Sequence, residues 1–183
     1  MSGRPVAGTA IVVRDATPGD LPIIQSVYAH HVLHGLASFE EVPPDLAEIE
    51  RRYREIVDRG LPYLVAESDG RVAGFAYAGS YRTRPDYRFT VEDSVYVAAD
   101  AVGRGLGRAA LTEVIRRVTA LGFRQMIAVI GDSGNHPSIR LHETLGFRNA
   151  ATLQAVGFKL GRWVDSVLMQ LRLGAGDSRL PDR

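Results

Sequence analysis

The chain contains no cysteine, which excludes disulfides, thiolate-ligated zinc and a cysteine nucleophile. That suits a reducing compartment. Lysine is nearly absent: Lys159 is the single one, and every other basic residue is arginine. Charge of one sign is also missing, because 22 basic and 21 acidic residues leave a net +1. Such a balance gives no sign of the basic face that a nucleic-acid partner requires. No apolar run approaches the roughly 20 residues of a membrane-spanning helix. Met1–Ala10 lacks an apolar signal core followed by a cleavage site, so the expected location is cytoplasmic.

What is present is an ordinary globular composition, 45% hydrophobic and 23% charged over 183 residues. A chain of this length buries roughly 68–70% of its unfolded surface and needs no covalent staple. One domain is expected over residues 1–173. The glycine-rich, polar segment Gly174–Arg183 is expected to be a flexible tail.

Periodicity and punctuation divide the chain. Thr9–Asp15 has the β-branched run of a strand. Thr17-Pro18-Gly19-Asp20 opens a helix to about His34, with Leu21, Ile24, Val27, Tyr28 and Val32 as its apolar stripe. After a loop over Ala37–Pro44, Asp45 caps a second helix to about Arg59. Its apolar face is Leu46, Ile49, Tyr53, Ile56 and Val57. Tyr63–Glu67 and Val72–Ala78 are strands joined across Ser68-Asp69-Gly70. Phe89–Val97 is a strand and Gly105–Leu121 a helix. Gln125–Ile130 has the near-continuous apolar character of a buried parallel strand. His136–Leu145 is a short helix closed by Gly146. Phe147–Leu153 and Val164–Leu171 are final strands around a loop over Gly157–Trp163. The resulting order predicts a single mixed α/β sheet domain.

The strongest chemical signal is Gly103-Arg104-Gly105-Leu106-Gly107-Arg108, placed between a strand and a helix. Glycines there expose backbone N–H groups, and the helix N-terminus adds partial positive charge, so a phosphate or pyrophosphate is held. A tight strand-to-helix turn would use the same residues. A P-loop is excluded because no Gly-Lys-Ser/Thr follows. Gly105–Ala110 also matches the dinucleotide fingerprint G-x-G-x-x-A, with Asp132 near the ribose position. Against that reading, Ala98–Arg104 separates the glycines from the strand, and too little chain remains for further βαβ units.

A second block follows in order: Asn135-His136-Pro137-Ser138-Ile139-Arg140-Leu141-His142-Glu143-Thr144-Leu145-Gly146-Phe147. With the glycine loop, this resembles the GNAT superfamily of acyl-CoA-dependent N-acyltransferases. Where that family carries Gln or Arg ahead of the loop, this chain has Val102, and Arg104 is the candidate for the missing charge. The resemblance narrows to phosphinothricin and methionine sulfoximine acetyltransferases. It does so through Thr90-Val91-Glu92-Asp93-Ser94-Val95-Tyr96-Val97, Ala128-Val129-Ile130-Gly131 and Gly157-Phe158-Lys159-Leu160-Gly161-Arg162-Trp163.

The resemblance implies a GNAT-type fold, a mixed central sheet with two splayed strands flanked by helices. It implies acetyl-CoA as co-substrate, with pantetheine along Val95, Tyr96 and Val97. The pyrophosphate would lie on Gly103, Arg104, Gly105, Leu106, Gly107 and Arg108, and Asn135 and Ser138 would contact the far side. Asn135 has an alternative role as a helix cap. Glu92 becomes the candidate general base, or else an ion-paired strand carboxylate bound to Arg82 or Arg84. Strand alternation turns Asp93 to the opposite face. His142 stands where many relatives place a tyrosine general acid. Tyr81, Arg82, Thr83 and Arg84 correspond to a substrate-contacting loop, in which an arginine fork suits an amino-acid carboxylate. Phe39, Tyr81, Asp93 and Ser94 complete the expected acceptor site. His30, His31 and His34 lack a matching carboxylate motif and are read as surface or packing residues, with no metal.

The expected activity is acetyl transfer to the amine of a small amino-acid-like substrate such as methionine sulfoximine or phosphinothricin, in a homodimer. The alternatives are a peptide or protein N-acetyltransferase and a non-catalytic acyl-CoA-binding protein.

Overall fold

The computed structural model describes residues 10–181. Thr9, assigned to the first strand, and most of the Met1–Ala10 segment lie outside them, as do the last two residues. The described elements, in chain order, are β1 (Ile11–Asp15), α1 (Leu21–His34), α2 (Leu46–Val57), β2 (Tyr63–Ser68), β3 (Arg71–Ser80) and β4 (Thr90–Val97). They continue with α3 (Leu106–Ala120), β5 (Gln125–Gly131), α4 (His136–Thr144), β6 (Arg148–Lys159) and β7 (Arg162–Arg172). The strands form one mixed sheet in the order β1-β2-β3-β4-β5-β7-β6. β4 and β5 run parallel, and the other neighbours are antiparallel.

Local chemistry fixes the helix starts. The Asp20 carboxylate accepts from Thr17 N at 2.7 Å and Thr17 Oγ1 at 2.8 Å, and Arg14 donates to both of its oxygens at 2.8 Å. Arg14 therefore holds Asp20 well below the usual carboxylate range, against the upward push of burial. Pro18–Asp20 is a separate 3-10 turn ahead of α1, rather than its first turn. Asp45 caps α2 by accepting from Glu48 N at 2.8 Å.

Two cores lie on opposite faces of the sheet. One face packs the α1 stripe, Leu21, Ile24, Val27, Tyr28 and Val32, on Tyr63, Val65 and Phe75. The other packs Leu106, Ala110, Leu111, Val114 and Val118 of α3 on Leu64, Ala76, Val91 and Met126. The expected α2 face is only partly realised: Ile49 is buried, while Leu46 and Val57 are exposed. α2 packs through one ridge beside α1 and is otherwise a salt-bridged surface helix, with Arg51 and Arg52 both on Glu48.

The hairpin near the C-terminus is longer than its apolar pattern indicates. β6 runs on to Lys159 and β7 starts at Arg162, so most of the expected Gly157–Trp163 loop is strand. Leu160 and Gly161, at φ 50° and 75°, form the two-residue turn that joins them. The apolar code fails there because Phe158, Leu160 and Trp163 point outward. Beyond β7, Gly176 N bonds Leu173 O and Ser178 N bonds Ala175 O.

The feature that positions the site is a split in the sheet. β4 pairs with β5 only from Thr90–Gln125 to Asp93–Ala128. Past Asp93, β4 stays with β3 as far as Val97, while β5 stays with β7 as far as Gly131. Ala98 N bonds Ala73 O on the β3 side. Main-chain groups alternate sides along a strand, so those of Val95 and Val97 face the split.

Candidate active site

Two cavities meet at this split. The larger, about 900 Å³, is lined by Val95, Tyr96, Val97, Gly103, Gly105, Leu106, Gly107, Arg108, Asn135 and Ser138, with His31 and Leu141. Gly103 and Gly105 sit at φ 81° and 89°, a region open to glycine. Gly105 is the N-cap of α3 and brings no side-chain acceptor. Ala109 N is the first to close onto Gly105 O, at 3.0 Å. The N–H groups of Leu106, Gly107 and Arg108 are therefore left open, and no acidic residue stands in that turn. The wall is thus built to take an anion.

Arg104, expected to add charge at the loop, does not. Its guanidinium turns away from the cavity to donate to Ser68 Oγ at 2.7 Å and Asp69 at 2.8 Å. Positive side-chain charge at the loop comes from Arg108. Gly107 also acts differently from a simple phosphate gate. A Cβ there would meet Val97 Cγ2 at 3.3 Å and Leu141 Cδ2 at 3.5 Å, so the glycine lets α3 close on β4 and α4.

The smaller cavity, about 340 Å³, is lined by Glu92, Asp93, Ser94, Val95, Tyr96, Asn135, Ser138 and His142, and by Phe39 from the loop after α1. Glu92 makes no ion pair among the described residues, so the expected alternative of a bond to Arg82 or Arg84 is absent. Burial, and then the charge of Asp93, push its carboxyl above the usual range. Asn135 fills its capping role as well, since its Oδ1 accepts from Ser138 N at 3.3 Å.

His142 is 2% exposed at its side chain and bonded at both ring nitrogens. Nδ1 lies 2.7 Å from Ser138 O, and Nε2 lies 3.0 Å from Asp93 Oδ2. Neither nitrogen is free to protonate a leaving thiolate, so the general-acid role expected of His142 is not open to it in this arrangement. Burial lowers its pKa, but the hydrogen bond and charge of Asp93 outweigh that and raise it.

The expected carboxylate clamp is not in either cavity. Arg82, Thr83 and Arg84 are exposed, and the Arg82 guanidinium stacks on Tyr81 and Tyr87 at 5.1 and 5.7 Å from the ring centroids. The guanidinium that does line the smaller cavity belongs to Arg52. Its Nη1 donates to Glu40 Oε1 and its Nε to Glu48 Oε1, both at 2.7 Å, and Tyr28 OH donates to the same Glu40 oxygen at 3.1 Å. Tyr28, Glu40, Arg52 and Tyr77 are site-lining residues that sequence reasoning missed. Tyr28 and Arg52 sit on helices whose periodicity reads as core and surface. The one available signal was Glu40, adjacent to Phe39.

His31 also enters the site. Its Nε2 lies 2.9 Å from Val97 O, and burial lowers its pKa, so a neutral ring donates there. That occupies one main-chain acceptor at the split. Among the described residues no His/Asp/Glu cluster could hold a metal.

Residues 25–147 match the model of the acetyltransferase (GNAT) family. The chain belongs to that family. It is 54% identical over 180 residues to a phosphinothricin N-acetyltransferase from Alcaligenes faecalis, covering 98% of this chain and 91% of the relative. It is 42% identical over 162 residues to an L-methionine sulfoximine/L-methionine sulfone acetyltransferase from Pseudomonas paraeruginosa, covering 88% and 94%. Among solved structures, a GNAT phosphinothricin acetyltransferase from Sinorhizobium meliloti, crystallised in complex with AcCoA, superposes with a TM-score of 0.92. The two share 46% identity, and 94% of each chain is covered. The GNAT fold explains the parallel β4–β5 pair and its split, and the chain is an N-acetyltransferase. No helix of the described residues is long and apolar enough to cross a membrane.

Proposed function

We propose that this GNAT enzyme transfers the acetyl group of acetyl-CoA to the amine of a small amino acid of the phosphinothricin or methionine sulfoximine type. The observation that carries the reading is the split itself. It has an anion-accepting helix end at one side, main-chain groups of Val95 and Val97 turned into it, of which Val97 O is held by His31, and the half-buried Glu92 carboxyl at the other. Those residues fit acetyl-CoA: the open N–H groups at Leu106–Arg108 suit a pyrophosphate, and the β4 edge suits an extended pantetheine arm. The bound thioester supplies an activated acetyl group.

The remaining chemistry falls to the protein. An ammonium has no lone pair, so the acceptor must lose a proton before attack. Glu92 is the base in this reading, directly or through water, and its raised pKa brings its basicity nearer that of the working solution. Arg52, whose Nε and Nη1 are held by Glu48 and Glu40, offers its remaining Nη2 donors to the acceptor's carboxylate. A 340 Å³ chamber suits an amino acid.

A second copy of the chain is assigned to the face of the β6–β7 hairpin. Trp163 is 68% exposed there beside exposed Leu153, Val156, Phe158 and Leu160. Gly157 and buried Val164 turn the other way, toward the Phe39 ring, so this exposed face is the back of the strand pair that borders the acceptor chamber. Light scattering should give a dimer for the wild type and a monomer for Trp163→Asp. A wild-type monomer would remove the assignment.

The function is tested by thiol release from acetyl-CoA with each amino acid, in wild type and Glu92→Gln. The variant should lose roughly 10²–10⁴-fold in turnover, as expected when a general base is removed, with acetyl-CoA affinity unchanged. Full activity of Glu92→Gln across a pH series would remove Glu92 as the base.

A further inference from the structure

We propose that Asp93 Oδ1 is a binding point for an N–H donor inside the cleft, and that His142 is the residue that positions it. This rests on the acetyltransferase reading above and adds a contact to it.

Ser138 O can only accept, so His142 Nδ1 carries a proton. A bare Nε2 facing a carboxylate oxygen at 3.0 Å would set lone pair against lone pair, so Nε2 donates as well. The ring then carries a proton on each nitrogen, and Asp93 Oδ2 accepts from it. The Phe147 ring packs edge-on against His142, with centroids 4.9 Å apart, and closes it in. Glu92, on the same strand, feels the charge of Asp93.

This arrangement uses only one oxygen of Asp93. Oδ1 is buried and has no hydrogen-bond partner among the described residues, in a side chain 1% exposed. Buried acceptors are rarely left so. Asp93 stands on the last rung shared by β4 and β5 and lines the acceptor chamber. By strand alternation Glu92 and Asp93 straddle the split from opposite faces. An unpartnered carboxyl oxygen at that point accepts from a ligand N–H. Two sources offer one: the acceptor's primary amine, and the amide nearest the thiol in the pantetheine arm.

The test measures binding by calorimetry, with acetyl-CoA and methionine sulfoximine titrated separately into wild type, Asp93→Asn and Asp93→Ala. Wild-type binding of acetyl-CoA comes first, and its absence would fail the acetyltransferase reading rather than this one. Asp93→Ala should weaken one ligand by about 10- to 100-fold, the size of one hydrogen bond to a charged group. Asp93→Asn, which keeps a neutral acceptor, should fall between. Loss confined to acetyl-CoA identifies the pantetheine amide, and loss confined to methionine sulfoximine identifies the amine. Affinities within twofold of wild type for both ligands overturn the proposal. Nitrogen NMR of the wild-type His142 ring needs no variant. Both ring nitrogens should be protonated at neutral pH, and one ligand should shift the Nε2 signal. A ring protonated at Nδ1 alone, or a signal indifferent to both ligands, also overturns it.

Discussion

Gly131→Ala would test how the cleft is roofed. Gly131 ends β5 directly under the loop after α1. A Cβ built there overlaps Leu36 O and lies 3.2 Å from Leu36 C and 3.3 Å from Ala37 C. These are backbone atoms, so no rotamer change relieves the clash. The loop cannot lift freely either. Lys159 Nζ donates to Ser38 O at 2.6 Å, and Tyr28 OH and Ser38 Oγ lie 3.0 Å apart. Overpacking of this kind costs about 1–3 kcal/mol. At this chain length that lowers the melting temperature by about 2–12 °C. The loop carries Phe39 and Glu40 into the acceptor chamber. A displacement on the order of 1 Å there should cost up to about 10²-fold in kcat/KM for the acceptor. Thermal melts and steady-state kinetics would be compared with Gly19→Ala, whose Cβ meets only Thr17 Oγ1 at 3.7 Å. Equal melting temperatures and equal kinetics in the two variants would refute the reasoning.

Three further outcomes follow from the same geometry. The Glu92 carboxyl is raised by burial and by Asp93, so the folded state holds its proton longer than the unfolded chain does. Stability therefore falls as pH rises from the unfolded value of ~4.3 through the folded one. Glu92→Gln should thus be more stable than wild type at neutral pH and no more stable in acid, and denaturant midpoints showing the reverse would contradict this. Asp20, lowered chiefly by Arg14, contributes stability that is present above ~3.9 and is lost as pH falls through its folded value. Asp20→Ala should cost about 1–2 kcal/mol at neutral pH, with a gap to wild type that narrows on acidification; a gap independent of pH would argue against it. Arg52→Gln should raise the acceptor KM more than Arg82→Ala does, and the opposite ranking would return the clamp to the Tyr81–Arg84 loop.

Much of this molecule was legible in its sequence because periodicity reports burial. The α1 stripe packs as its pattern indicates, and so do the apolar residues of α3 and β5 apart from Leu121 and Val129, which are exposed. Outward apolar residues broke that code in β6 and β7, where exposure of Phe158 and Trp163 hid the strands. At the site, the glycines before α3 are readable from local sequence, whereas the Val95–Val97 edge enters only through the resemblance to the GNAT superfamily. Glu92 and Asp93 were assigned to opposite faces by strand alternation alone. Partners drawn from other elements were not readable. Arg52 reaches the chamber only because α2 packs beside α1, and no spacing within α2 encodes that. Arg104 and Arg82 carried the right charge in the right segment, yet Asp69 holds one and two tyrosine rings hold the other.

The central claim is that the β4–β5 split delivers acetyl groups to small amino acids. It is tested most directly by mass spectrometry of the products formed from acetyl-CoA in a mixture of phosphinothricin, methionine sulfoximine, the sulfoximine's carboxamide and a short peptide. The account predicts N-acetylated phosphinothricin or methionine sulfoximine as the dominant product, with the carboxamide and the peptide left largely unmodified. Preferential acetylation of the peptide, or equal use of acid and carboxamide, would contradict it.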